Sequence, residues 1–423
     1  MRCQRWTAMF FAMAIAANPQ DFAPGVVTLA HIKSHMRDEA ANLPNYTCLE
    51  TLTRFHKEAR RAAQTELKPL DTVRLEIVYS DHQEWYGSPG DKKTAANNPS
   101  EFVGNGLIGT GVFASALNNI LTGAQFTYGG EEELNGRNAI RYDFQYSRLT
   151  GGFEVNVVGG RGTVGQKGSI WADPKTLDLI RLESAADDIP SWLPLVSSGT
   201  SVDYARTRIG DRSILLAQQG SMRMVPGDGT EDYDRVEFTH CRAFSSETTL
   251  RFDTSTDETP VVASSHATAA PPTITIPANQ MATVRLMTAI SSDAAVGDLI
   301  EGALVGAITR NGTEVIPEGA VVRGRIRRLE HHQRAMPQEY ILALEFTEVE
   351  IRGGSVPFYA DFLRTDKSRN IRPILPASDK ASPKQNIILP DLPGVASFFV
   401  SGASFAIPAG FTTVWRTRGP IRK

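Results

Sequence analysis

NGRNAIRYDFQY (residues 135–146) decides the fold. Asn135-Gly136 is a strong two-residue turn signal. Beyond it Ile140, Tyr142, Phe144 and Tyr146 alternate with Arg141, Asp143 and Gln145. That period of two is what a strand buried on one face requires; a helix would set its apolar residues three and four apart. The same alternation lies on both sides. Val73, Leu75, Ile77 and Tyr79 alternate with Arg74, Glu76, Val78 and Ser80, and Phe153, Val155 and Val157 precede a Gly159-Gly160 turn. Thr47, Leu49, Thr51, Thr53 and Phe55 share one side of a further strand, with Cys48 on the other. More strands are expected at 168–172, 177–183, 201–207, 213–219 and 233–241. Turn residues at Asp173-Pro174, Gly210-Asp211 and Pro226-Gly227-Asp228-Gly229 separate them. Residues 27–42, with Leu29, Ile32, Met36 and Leu43 in helical spacing, predict one early helix that Pro44 ends. Strands this close together predict a large antiparallel sheet rather than alternating βαβ units.

The chain has 423 residues, enough for two or three domains. With 22% charged and 41% hydrophobic residues it reads as globular, not disordered. Its 44 basic against 47 acidic residues give no electrostatic reason for a nucleic-acid partner.

Residues 1–17 read as a secretory signal peptide. Arg2 and Arg5 supply the charged region, Trp6 to Ala17 a short apolar run, and Ala14-Ile15-Ala16 a small-x-small cleavage pattern. The run is too short to span a bilayer, and no other stretch approaches that length. The expected location is periplasmic or secreted, in a bacterial envelope. Cys3 falls before the apolar run, so it is not placed as a lipid-anchor site. Cleavage leaves Cys48 and Cys241, and an oxidising compartment favours a disulfide between them.

The remaining domain division follows composition. Residues 18–253 form the first β domain, and 254–272, rich in Thr, Ser, Ala and Pro, read as a linker. Residues 273–423 form a second β domain. Val284, Leu286, Thr288 and Ile290 alternate there, Asn311-Gly312 turns a hairpin between 299–309 and 314–316, and strands are expected at 321–327, 340–351 and 356–363. A polar, proline-bearing loop spans 366–396, before strands at 397–407 and 411–416 complete a small barrel or sandwich.

Two family resemblances rest on these residues. GGEEELNGRNAIRYDFQY (129–146) followed by GSIWADPKTLDLIRLE (168–183) resembles the strand, Asp, turn, strand, Arg hairpin of the LolA-like lipoprotein-carrier superfamily. That resemblance implies a curved antiparallel half-barrel with helices on its concave side, holding acyl chains or apolar partners. IPANQMATVRLMTAISSDAAVGDLIEGALVGAI, from Ile276, with Ile316-Pro317-Glu318-Gly319-Ala320 leading to Gly324, looks like the small β-barrel of the TrbI/VirB10 type. Gly297 and Gly319 suit turns that need unusual φ.

Candidate chemistry is sparse. His31 and His35 lie four apart on the helix, a spacing a metal could use, but no third ligand is near in sequence. His331-His332 reads as a solvated turn, Asp228 to Asp234 as a charged hairpin loop without EF-hand spacing, and Asp187-Asp188 as an exposed loop. Glu131-Glu132-Glu133 reads as a solvated strand end. No G-x-S-x-G elbow occurs. Residues 101–122 combine glycines at 104, 106, 109 and 111 with a short helix from Val112 to Leu121; they form either a packed connection or a lid over a hydrophobic cleft. The expectation is a non-catalytic envelope protein, without cofactor or metal, that binds lipid, a lipoprotein or another apolar partner. Val73, Ile77, Ile140, Tyr142, Phe144, Val112 and Phe113 are its cleft candidates. The second domain would associate with other envelope proteins. The alternatives are an assembly module without a ligand cavity and an envelope hydrolase.

Overall fold

The computed structural model describes residues 24–419 except 58, 60–66, 81, 91–109, 151, 158, 245–274, 333–337, 353, 366–369 and 375–393; for 110–116 only the backbone is described. The expected signal peptide and linker therefore lie outside the described residues, as do three of the four glycines in 101–111.

The chain opens with α1 (Pro24–Ala41), β1 (Tyr46–Lys57), β2 (Lys68–Ser80) and β3 (Gln83–Gly87). After α2 (Thr110–Gly123) come β4 (Gln125–Leu134), β5 (Arg137–Tyr146), β6 (Phe153–Val157), β7 (Gly160–Ala172), β8 (Leu179–Asp187), β9 (Leu195–Ile209), β10 (Arg212–Pro226) and β11 (Glu231–Ala243). They form one antiparallel sheet in the order β3-β2-β1-β11-β10-β9-β8-β7-β5-β4, with β6 branching from β7. The turn that decided the reading is a tight hairpin. Asn135 and Gly136 both have positive φ, and Leu134 pairs directly with Arg137. Ile140, Tyr142 and Phe144 are buried as their alternation requires. Ile32 and Met36 of α1 and Leu117, Ile120 and Leu121 of α2 close over the same face. Glu131-Glu132-Glu133 lies within β4, where Glu132 accepts from Trp171 Nε1 at 2.5 Å and pairs with Arg141 at 3.1 Å.

The second set of strands is β12 (Met281–Leu286), β13 (Ile290–Ser291), β14 (Leu299–Val305), β15 (Ile308–Arg310), β16 (Thr313–Ile316), β17 (Val321–His332), β18 (Glu339–Ile351), β19 (Gly354–Pro357), β20 (Ala360–Thr365), β21 (Ile371–Ile374), β22 (Val395–Ser401), β23 (Ala406–Ile407) and β24 (Thr412–Thr417). The sheet runs β20-β24-β12-β14-β17-β18-β22-β21, with β19 on β18. It curls until its ends approach. Phe362 of β20 meets Phe398 of β22 at a ring separation of 5.3 Å, and Trp415 of β24 at 5.6 Å. The result is a nearly closed, barrel-like sheet around Trp415 and Phe398, both almost fully buried.

Several details differ from the sequence reading. Glu231, Asp232 and Asp234, expected in a charged hairpin loop, lie in β11 because it pairs with β1 as far as Glu231, and Asp187, expected in an exposed loop, ends β8. His331-His332 is the end of β17, not a turn, because β18 pairs with it as far as Glu339 opposite His332. His331 stacks on Tyr340 at 4.1 Å. Within 366–396, Ile371–Ile374 forms β21 by pairing with β22.

The two sheets meet at a seam. Val73 and Val296 form a parallel bridge: Arg74 N–H donates to Val296 O at 2.7 Å, and Val296 N–H to Thr72 O at 2.8 Å. The Arg74 guanidinium grips both oxygens of Asp298 at 2.8 and 2.9 Å. Gly297 has φ +95°, and a Cβ there would stand 2.2 Å from Arg74 O, so the close approach requires glycine. Beside the seam, Arg54 lies between its direct cross-strand partners Asp71 and Asp234. It donates to both oxygens of Asp71, one at 2.6 Å. Burial pushes the Asp234 carboxyl up to about 7; Arg54 opposes this, while Asp232 and Asp71 add to it. Burial also acts to raise Glu330 on β17, but hydrogen bonds from His332 and Arg328 outweigh it and hold that carboxyl at about 2.

A disulfide joins Cys48 and Cys241 across β1 and β11, with S–S 2.01 Å and 193 residues of separation. Cys48 is buried among Tyr46, Ile209, Ile214 and Leu216.

Two predictions follow from this architecture. Non-reducing peptide mapping of protein produced in an oxidising compartment recovers Cys48 and Cys241 in one linked peptide, and the Cys48→Ser/Cys241→Ser variant loses up to roughly 5 kcal/mol of stability on the chain-entropy scale. Free thiols at both positions would refute the bridge. The second concerns pH. An acid whose folded-state pKa is raised contributes stability below the ordinary Asp value of about 4, and that contribution is lost as pH rises through about 7. Asp234→Asn removes the charge, so its stability relative to the parent improves between pH 5 and pH 8 by on the order of 2–3 kcal/mol in denaturant titrations. An equal effect at both pH values would contradict the assignment.

Candidate functional site

The position of α1 is set by a charged dock on one side of the helix. Arg206 of β9 donates Nε to Asp178 Oδ2 at 2.9 Å and Nη2 to Asp178 Oδ1 at 2.5 Å. The same guanidinium reaches Glu39 of α1 at 2.9 Å, and His35 Nε2 lies 2.8 Å from Asp178 Oδ1. Burial would raise the Asp178 carboxyl, but hydrogen bonds from Arg206 and His35 hold it below the usual carboxylate range. Ligand atoms of His35, Glu39 and Asp178 all lie within 4.8 Å of one another. The third group that the His31/His35 spacing lacked is thus supplied by the fold, while His31 itself stays exposed. The guanidinium already sits on both carboxylates and supplies the positive charge a metal would bring. The cluster is a helix dock.

The same end of α1 takes the place of a missing strand neighbour. β10 pairs with β9 along nearly its whole length but with β11 only over 219–224. Where β10 and β11 part, Glu39 accepts from Leu215 N–H at 3.4 Å, and Arg212 Nη2 donates to Asn42 O at 2.6 Å. A cavity opens beside this junction, with about 140 Å³ open to the centres of water molecules. Lys33, Met36, Arg37 and Ala40 line it from one face of α1, at spacings of three, four and seven. Leu117, Asn118, Leu121 and Thr122 of α2 face them. Tyr204 of β9 and Leu215, Leu216 and Ala217 of β10 form the sheet side, and Leu43, Tyr46, Tyr79 and Glu84 complete the wall.

Tyr204 is the informative member. It is 8% exposed, and among the described residues its hydroxyl has no hydrogen-bond partner. Burial raises its pKa well above the usual phenol range, so it remains a neutral donor. A buried hydroxyl left unpaired carries a desolvation cost of about 1–3 kcal/mol, which an oxygen in the cavity would relieve.

The sequence candidates lie elsewhere. Val73, Ile77, Ile140, Tyr142 and Phe144 are all buried in the core cluster, and none lines the cavity. Tyr142 Oη donates to Gly25 O at 2.7 Å, tying the start of α1 to β5. Val112 and Phe113 fall on α2, but their side chains lie outside the description. Tyr204, Leu215 and Ala217 sit on strands the sequence predicted, yet nothing in their alternation separates cavity lining from core. Three acidic groups singled out in the sequence are paired or turn-forming. Arg148 pairs with Asp188 at 2.8 Å, Lys167 with Asp187 at 3.1 Å, and Asp228 accepts from Thr230 in the β10–β11 turn.

No family model matches the chain, and no curated protein matches its sequence. Its neighbours among solved structures include a DUF1329 protein and LolA-superfamily proteins. A DUF1329 family protein from Desulfovibrio piger shares 11% identity over 53% of this chain and 96% of its own, with a TM-score of 0.27. A putative outer membrane lipoprotein-sorting protein domain from Vibrio parahaemolyticus shares 13% over 55% and 95%, at 0.28. A LolA superfamily protein from Nitrosomonas europaea shares 8% over 51% and 94%, at 0.24. These names coincide with the resemblance read at 129–146 and 168–183; the TrbI/VirB10 resemblance of the second sheet has no counterpart among the three. Scores this low carry nothing about function, and the site stands on its own geometry.

Tyr204→Phe tests whether the hydroxyl on the sheet side of the cavity is unpaired. With no partner lost, the ligand-free variant should match or exceed the parent in thermal unfolding, by up to about 1 kcal/mol. A clear loss of stability would mean that the hydroxyl is already satisfied.

Proposed function

We propose that this protein is an exported, non-catalytic binder of an apolar ligand held between α1, α2 and the first sheet. The cavity is the observation that supports it. Its lining is dominated by Met36, Leu117, Leu121, Leu215, Leu216 and Ala217, and one of its walls is α1, which Arg206 pairs through Glu39 to Asp178 on the sheet. An apolar space of similar volume, about 150 Å³, accepts a molecule the size of benzene. The ligand therefore enters with one slender apolar group, a single acyl chain or an apolar side chain, rather than with several chains at once. The acidic groups on the rim are engaged: Glu39 by Arg206, and Glu84 by the Tyr86 hydroxyl at 2.7 Å. Among the described residues the lining sets no nucleophile beside a base, which favours binding over catalysis.

Export is supported by the Cys48–Cys241 bridge, which an oxidising compartment sustains, together with the charged, apolar and small-residue order of residues 1–17. Among the described residues no helix is long and apolar enough to cross a membrane. We assign 18–253 as the ligand-binding domain, and 273–423 as the domain through which other envelope proteins associate.

Mass spectrometry of the purified mature protein should detect a co-extracted apolar ligand, and neutral N-phenyl-1-naphthylamine should bind with enhanced fluorescence. Leu121→Trp and Leu215→Trp fill the cavity and should weaken the dye by about tenfold or more. Comparable unfolding midpoints would show that both variants keep the fold. Undiminished dye binding by both folded variants would place the binding site elsewhere and overturn the proposal.

A further inference from the structure

One face of α1 brings two cations to the cavity. Lys33 and Arg37 stand one turn apart on α1 and both line the mouth. Among the described residues neither forms an ion pair with a carboxylate. Lys33 Nζ instead lies 4.5 Å from the centroid of the Phe126 ring, and burial lowers its pKa. It is a cation partly withdrawn from water with only an aromatic face beside it, and a bound anion would restore what desolvation removes. Of the acidic groups in the lining, Glu39 is paired with Arg206, and Glu84 accepts from the Tyr86 hydroxyl, which leaves its charge in place. The Tyr204 hydroxyl adds an independent sign of a ligand, because it is buried in the wall as an unpartnered donor.

We propose that the ligand is a single-chain anionic amphiphile, its acyl tail beneath α1 and α2 and its acid group held at the mouth by Lys33 and Arg37. The proposal rests on the cavity reading above and adds the charge of the ligand to it. The volume admits one slender chain, the apolar lining suits its tail, and two cations at i and i+4 present their charge to one head. A carboxylate and a phosphate monoester share the required chemistry, since both offer several acceptor oxygens to ammonium and guanidinium groups.

The test is displacement of N-phenyl-1-naphthylamine, a neutral probe, from the full mature protein by decanoate, decyl phosphate, decanol and decyltrimethylammonium, which share one chain length. The two anions should displace it at about tenfold lower concentration than decanol, and the cation least well. In Lys33→Gln/Arg37→Gln the ratio of anion to alcohol should fall to about one, and high salt should narrow the same ratio in the parent. A lead for decanoate assigns a carboxylate head, and a lead for decyl phosphate a phosphate head; either supports the proposal. If decanol matches both anions in the parent, the charge assignment is overturned while the cavity reading stands. If the dye binds neither the parent nor the filled variants, both fall.

Discussion

The Arg206 guanidinium, held by Asp178 on the sheet and Glu39 on α1, is the contact on which the arrangement of the first sheet and its helices depends. A sheet with one apolar face needs a cover, and hydrophobic contact alone does not say where along the sheet a helix should lie. The dock does. It fixes the C-terminal end of α1 against β10 and lets Glu39 serve Leu215 N–H, which lies outside the stretch of β10 paired with β11. It also turns Lys33, Met36, Arg37 and Ala40 toward α2. Without that anchor the helix could slide to fill the space where β10 and β11 part. With it, the space persists as a cavity.

The seam between the sheets uses backbone as well as side chains. The Val73–Val296 bridge and the Arg74–Asp298 pair, the latter 224 residues apart in sequence, join β2 to the segment before β14, and buried apolar residues of both sheets form one continuous cluster. Beside them a guanidinium between two carboxylates leaves Asp234 with more burial than compensation, and its pKa rises accordingly. The fold thus tolerates an electrostatic cost near the joint of its two sheets, where strand pairing already determines which residues must be neighbours.

Much of the architecture was legible in the residues. The alternation at 135–146 and 73–80, the turns at Asn135-Gly136 and Asn311-Gly312, and the helical spacing of Ile32 and Met36 report local periodicity, which backbone geometry translates directly into structure. The pairing of Cys48 with Cys241 followed from parity and compartment. The site was not legible in the same way. Alternation marks Ile140 and Phe144 as facing inward, and they do, but it cannot say whether an inward residue meets another side chain or open space. Tyr204 and Leu215 carry the same signal as any core residue. At the end of β17 the charged stretch before His331-His332 suggests a turn, whereas pairing with β18 carries the strand through it.

The sequence by itself determined the class of this protein: antiparallel strands with a covering helix, and a cysteine pair suited to oxidation. Those features depend on residues near one another in the chain or on simple counts. The tertiary structure alone decided the cavity, the unpartnered hydroxyl in its wall and the two cations at its mouth. Each arises from groups brought together across long separations, as when a helix is docked by Asp178, which is 143 residues from His35. Such meetings are set by strand order and helix placement, and no local pattern encodes them.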